Sequence, residues 1–216
     1  MRFAVLGSGS QGNGTLIASD STYVLVDCGF SLRETERRLV RLGVSPHQLS
    51  AILVTHEHAD HVHGVGLLSR RYNLPVYMSR GTQRGMRKPL EPAGFVAGGE
   101  TLQIGALSIS VTRVAHDAQE PTQYVFSDGQ RRFGLLTDLG SYCDGVLDSY
   151  RGLDALMIEA NHCRDMLARG HYPYFLKQRV GGQEGHLNNH QAASLVAELG
   201  WQDLQHLVLA HLSSKN

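Results

Sequence analysis

His56, His58, Asp60 and His61 place four side chains able to ligate a metal within six residues, directly after the apolar run Ala51 to Val54. Imidazole and carboxylate suit Zn²⁺ and similar divalent ions, and a catalytic site keeps one coordination position open for water. In a tightly turned loop His56 and His58 point to one side while Asp60 and His61 can turn to another, an arrangement that serves two neighbouring ions. Four residues cannot complete two such sites, so further ligands must come from downstream. Each candidate follows another β-type run: His116 after Leu107 to Ala115, Asp138 after Phe133 to Leu136 and Thr137, and His211 after Leu207 to Ala210. Alone, each reads as a hydrogen-bonded histidine or a capping aspartate; beside the first cluster, they read as a set.

The elements that must position these residues are short. Arg2 to Leu6, Thr15 to Ala18, Thr22 to Val26 and Ala51 to Val54 are apolar runs of strand length punctuated by glycine. Between the last two, Leu32, Thr35, Leu39 and Leu42 recur at helical spacing under a basic face, with Gly43 as the stop. Gly64 to Tyr72 has helical composition, Pro75 to Met78 a short strand, and Leu187 to Leu199 a helix begun by Asn188 or Asn189. Five β-type runs end beside a residue able to ligate a metal, at Val54, Ala115, Leu136, Ile158 and Ala210, and loops at strand ends build sites. No repeat of fixed period and no low-complexity linker interrupts residues 1–216, so one α/β domain is expected.

The 20 basic residues balance 20 acidic ones, which leaves no global field to draw the chain to nucleic acid or a membrane. An anionic partner would need a local patch, for which Arg70-Arg71, Arg80 to Lys88 and Lys177 to Arg179 are candidates. The three cysteines, Cys28, Cys143 and Cys163, are widely spaced and suggest ordinary thiols in a reducing compartment. The first residues read as a strand rather than a signal segment, and no apolar run could span a bilayer. A soluble, cytoplasmic protein is expected, with its oligomeric state open, a dimer included.

Asp27, His56-x-His58-x-Asp60-His61, His116, Asp138 and His211 together resemble the ligand pattern of the metallo-β-lactamase-fold hydrolases. Ser8 to Asn13, Thr55 to His61, Glu159-Ala-Asn-His162, Tyr172-Pro173, Gly185-His-Leu-Asn188 and His211-Leu-Ser213 are similar to the YycJ-like (WalJ-like) branch, whose members are regarded as DNA exonucleases. The resemblance implies a four-layer αββα sandwich and two divalent ions, Zn or Mn, with Fe also compatible. It implies that His56, His58 and His116 hold one ion, that Asp60, His61 and His211 hold the other, and that Asp138 bridges them. Asp27 would orient a ligand imidazole from behind. Two such ions activate a shared water and clamp a phosphorus in line. In ribonuclease relatives of this fold a histidine held by a glutamate protonates the leaving group, and His186 with Glu159 matches those segments. Asp60, Glu159 and His186 are thus the expected catalytic residues.

Substrate contacts are expected at Ser10 and Asn13 in the glycine-rich turn, at Asn161 and His162, and at Ser213. The glycine-rich turn lacks Gly-Lys-Ser/Thr and is no Walker loop. The chain departs from the branch at Cys163, where Asp is usual, at His63, where Lys is common, and at Asn188, where Ser is typical; none is an expected ligand. Residues 139 to 210 leave no room for the large inserted domain of nucleases that act on messenger-RNA ends. The resemblance implies a nucleic-acid substrate, DNA favoured over RNA, and Glu159 with His186 points to phosphodiesters. The enzymatic alternatives are a small phosphodiester and a thioester or lactone, and a different class altogether is a metal-binding partner module without turnover.

Overall fold

The computed structural model describes residues 1–216, the side chain of Trp201 excepted. Two six-stranded sheets carry the fold. The first runs in chain order through β1 (Arg2–Gly7), β2 (Gly14–Ser19), β3 (Thr22–Val26), β4 (Ala51–Leu53), β5 (Val76–Met78) and β6 (Gly94–Phe95). The second has the order β12 (His206–Ala210), β11 (Ala155–Glu159), β10 (Arg132–Leu136), β9 (Thr122–Ser127), β8 (Leu107–Arg113) and β7 (Thr101–Ile104). The chain forms two compact units, Met1–Val111 with Ala118–Thr122, and Thr112–Asp117 with Gln123–Asn216.

In the first unit β1, β2 and β3 are antiparallel, whereas β3, β4, β5 and β6 run parallel. Parallel strands need crossovers, and α1 (Leu32–Arg41) supplies the one between β3 and β4. Ser31 caps it by accepting from the Glu34 amide, and Thr35 and Leu39 are its buried face. Leu25, Leu39, Ile52, Val65 and Leu68 belong to one wholly buried core, each side chain worth about 1.5–3 kcal/mol of transfer free energy. A short helix, α2 (Ala59–Val62), carries Asp60 and His61, and α3 (Val65–Tyr72) follows at once. The last helix of this unit, α4 (Arg80–Gly85), lies between β5 and β6.

In the second unit β9 and β10 are antiparallel and β10, β11 and β12 parallel. Its core gathers Leu136, Leu156, Ile158, Leu187 and Leu195. Helices α5 (Asp144–Tyr150), α6 (Arg164–Arg169), α7 (Tyr174–Val180) and α8 (Asn189–Leu199) accompany these strands. Asn188 caps α8 through a reciprocal box with Gln191. The expected strand Leu107 to Ala115 ends earlier, at Arg113, and Ala115 makes only an isolated bridge to Ser141, which leaves Val114 to Asp117 free to turn. Among the described residues no helix is long and apolar enough to cross a membrane.

Candidate active site

The carboxyl ends of parallel strands gather polar side chains in each unit, the edge where open α/β sheets bind ligands. In the first unit Asp27 follows β3 and Thr55-His56 follow β4 by one residue. Asp27 is buried and has a left-handed backbone, with φ of 60°. One of its oxygens accepts from the Thr55 amide at 2.9 Å; the other accepts from the Thr55 hydroxyl at 2.8 Å and meets His61 Nδ1 at 2.8 Å. His61 therefore donates through Nδ1 and keeps its Nε2 lone pair. Thr55 Oγ1, its own hydrogen committed to Asp27, lies 3.0 Å from His56 Nδ1 and fixes that ring in the same tautomer. His56 Nε2 and His58 Nδ1 are then 3.0 Å apart, close to the roughly 3.3 Å that two ligands of one tetrahedral ion require.

Asn13 completes this cluster. Its amide nitrogen is 2.9 Å from His61 Nε2 and donates to Asp60 Oδ2 at 3.2 Å, so it is directed at lone pairs suited to a cation. Its other partners are the Asp60 carbonyl and the Gly9 amide and carbonyl, the last two folding the glycine-rich turn around it. Backbone bonds lace the loops together: Asn13 to Asp60 O at 2.8 Å, Gly29 to Asn13 O at 2.9 Å, Cys28 to His61 O at 2.8 Å, and Gly64 to Cys28 O at 2.7 Å. Ser10 is exposed at the tip of that turn. Glu57, between the two histidines, accepts from the Gln119 amide at 2.8 Å.

In the second unit Asp138 follows β10, Glu159 closes β11 and His211 follows β12. Asp138 and His211 both have left-handed backbones, φ 57° and 51°. His211 Nε2 is 3.2 Å from Asp138 Oδ1, and the His186 ring stacks on His211 with centroids 4.9 Å apart. Asp138, Glu159, His186 and His211 each offer a donor atom within 4.8 Å of the others. His116 stands beside them, its ring 5.3 Å from that of His186; its Nδ1 meets Gly185 O at 3.1 Å and its Nε2 lies 3.4 Å from Asp117 Oδ1.

Glu159 is fully buried and completely used: Oε1 accepts from the Leu139 and Leu187 amides, both at 2.9 Å, and Oε2 meets His186 Nδ1 at 3.0 Å. Burial works to lower the pKa of His186, but the hydrogen bond and charge of Glu159, with the charges of Asp138 and Asp117, outweigh it and raise the pKa from histidine's ordinary value. Asn161 donates to His211 O at 2.8 Å and its amide nitrogen lies 3.0 Å from His211 Nδ1. His162 is buried beside it, and the Ser213 amide donates to Asn161 O at 2.8 Å.

Thus the first unit brings together Asn13, Asp27, His56, His58, Asp60 and His61, and the second Asp138, Glu159, His186 and His211, with His116, Asn161 and His162 alongside. Thr55 and Gly185 are anchors that residue type alone does not reveal, because one acts through a hydroxyl and the other through a backbone carbonyl. Imidazoles beside carboxylates, with His56, His61 and His116 held through Nδ1 by Thr55, Asp27 and the Gly185 carbonyl, are a donor set that fits a divalent cation.

Residues 22–212 match the β-lactamase superfamily domain, and the chain belongs to that superfamily, with the fold of its metal-dependent hydrolases. Over its whole length it is 36% identical to the exodeoxyribonuclease YycJ of Bacillus anthracis, covering 84% of that protein. It is likewise 34% identical to the exodeoxyribonuclease WalJ of Streptococcus pneumoniae, covering 82% of it. Among solved structures, the metallo-β-lactamase fold protein YhfI of Bacillus subtilis superposes with a TM-score of 0.76 at 20% identity, over 99% of this chain and 87% of that one. The chain is an enzyme of the hydrolase class, in the YycJ and WalJ branch.

Proposed function

We propose that this enzyme is a two-metal-ion phosphodiesterase that removes nucleotides from the ends of DNA. The pair of buried Glu159 with half-buried His186 carries the reading, because hydrolysis of an alkyl phosphodiester needs a proton for its leaving oxygen whereas acyl substrates have less need of one. The activity named for YycJ and WalJ supports it, as does the donor chemistry of both clusters. In this reading His56, His58 and His116 hold one ion, Asp60, His61 and His211 the other, and Asp138 both, with Zn or Mn as the metals the ligands suit and Fe compatible. Such ions, when bound, activate the attacking water and neutralise phosphate charge. Glu159 holds His186 through Nδ1, so that Nε2 delivers the proton to the departing sugar oxygen. Asp27 and Thr55 keep His61 and His56 in the ligating tautomer. The substrate contacts assigned to Ser10, Asn13, Asn161, His162 and Ser213 belong to the same proposal; Asn13, facing Asp60 and His61, would serve first by holding that loop.

The test is incubation of the metal-loaded protein with end-labelled single-stranded DNA, duplex DNA and RNA, beside a cyclic nucleotide, bis(4-nitrophenyl) phosphate and a thioester. Release of mononucleotides from DNA is expected, and Asp138→Ala should lose both bound metal and turnover. Cleavage of the thioester or the cyclic nucleotide with DNA left intact would overturn the reading, as would two bound ions with no hydrolysis at all.

A further inference from the structure

Beside the histidine cluster of the second unit, two cavities of about 440 and 430 Å³ share Arg164, Gly181 and Asn188 and so form one groove along α6, α7 and the start of α8. Each is within the roughly 300–1,000 Å³ of small-ligand sites. Among the described residues, no carboxylate lines either one. Arg164 and Lys177 line it, and among the described residues neither has an ion-pair partner; Lys177 Nζ donates instead to Ala168 O at 2.7 Å, which pins the ammonium at the groove wall. Arg179, two residues on, is by contrast taken up by Asp117. Tyr174 stands on the rim, 74% exposed, its hydroxyl accepting from Gln178 Nε2 at 2.8 Å so that the ring is held while its face stays open. His162 lies at the inner end, next to Asn161, whose amide meets His211.

We infer that this groove is the subsite for a single strand of DNA, with a base stacked on Tyr174 and backbone phosphates at Lys177 and Arg164, leading the strand toward His186. An exposed aromatic ring beside cations that no carboxylate neutralises is the combination that holds single strands without reading their sequence. Core packing does not explain it, because α7 has no buried residue. The inference rests on the nuclease reading for its substrate but on different residues, so the two can fail separately.

The experiment measures binding of fluorescein-labelled oligothymidylate by anisotropy, and kcat/KM for labelled single-stranded DNA and for bis(4-nitrophenyl) phosphate, in the metal-loaded wild-type and variants. Tyr174→Ala is expected to weaken oligothymidylate binding about tenfold, the order of a single base stacked on an aromatic ring, and to lower the DNA-to-aryl-diester ratio of kcat/KM as much. Tyr174→Phe, which keeps the ring, restores both. Arg164→Ala with Lys177→Ala should flatten the dependence of log affinity on log salt by about 0.7 for each phosphate that is no longer neutralised. DNA cleavage by the wild-type with Tyr174→Ala unimpaired in binding and ratio would overturn the groove and leave the nuclease standing. Oligothymidylate binding that depends on Tyr174, with no cleavage of DNA, would keep the groove and overturn the nuclease.

Discussion

Glu159 spends one oxygen on two backbone amides and the other on His186, so its position is fixed by the loops that it ties together as much as by its own strand. His186 should then be separable from metal binding, because its Nδ1 faces Glu159 and a proton from Nε2 matters only where the leaving group is poor. We expect His186→Ala to keep its metal content by elemental analysis and to lose about 10²- to 10⁴-fold in kcat on DNA, while changing little on an aryl diester. An equal loss on both substrates would remove His186 from that role. At this scale the sequence was legible where side-chain type suggests metal ligation or proton transfer, as in His56 to His61, Asp138 and the Glu159 and His186 segments. It was silent where a group acts through position: Thr55 as hub for Asp27, His56 and His61, and Gly185 as acceptor for His116, become visible only once loops distant in sequence are adjacent.

The elements follow the same division. Strands that end in Asp, His or Glu were legible because each is an apolar run stopped by a polar or glycine turn, and α1 and α8 because cap residues and helical spacing coincide. Helices α5, α6 and α7, of six or seven residues, were not, being too short for a periodicity to register, and β9 lacks alternation because Thr122 to Phe126 are all buried. Glycine matters most where the first unit's loops cross. A Cβ at Gly29 would lie 1.7 Å from Asp60 O, a clash with backbone that no side-chain rotation relieves. Gly29→Ala should therefore shift the helix carrying Asp60 and His61, destabilising the fold by about 3 kcal/mol or more in denaturant titration. It should weaken metal binding although it alters no ligand, and wild-type stability in this variant would contradict the tight crossing.

For the molecule as a whole, length pointed to the size of a single α/β domain and the ligand pattern to the superfamily, which the family match and fold bear out, while the two compact units, each with its own core, are not a property that composition expresses. Among the described residues, five other than glycine have a left-handed backbone, and three of them are Asp27, Asp138 and His211, each at the carboxyl end of a strand. Such a conformation costs an ordinary residue about 1–2 kcal/mol. Under the proposed function the site is a place where activity is set against stability: glycine would relax these turns and remove the proposed ligands. The contest can be measured at a single position. Asp138→Gly should be as inactive as Asp138→Ala yet more stable than it by about 1 kcal/mol, a few degrees in melting temperature for a chain of this size. If the alanine variant melts no lower, the strand end holds no such reserve of strain, and a catalytic carboxylate there comes without a penalty in stability.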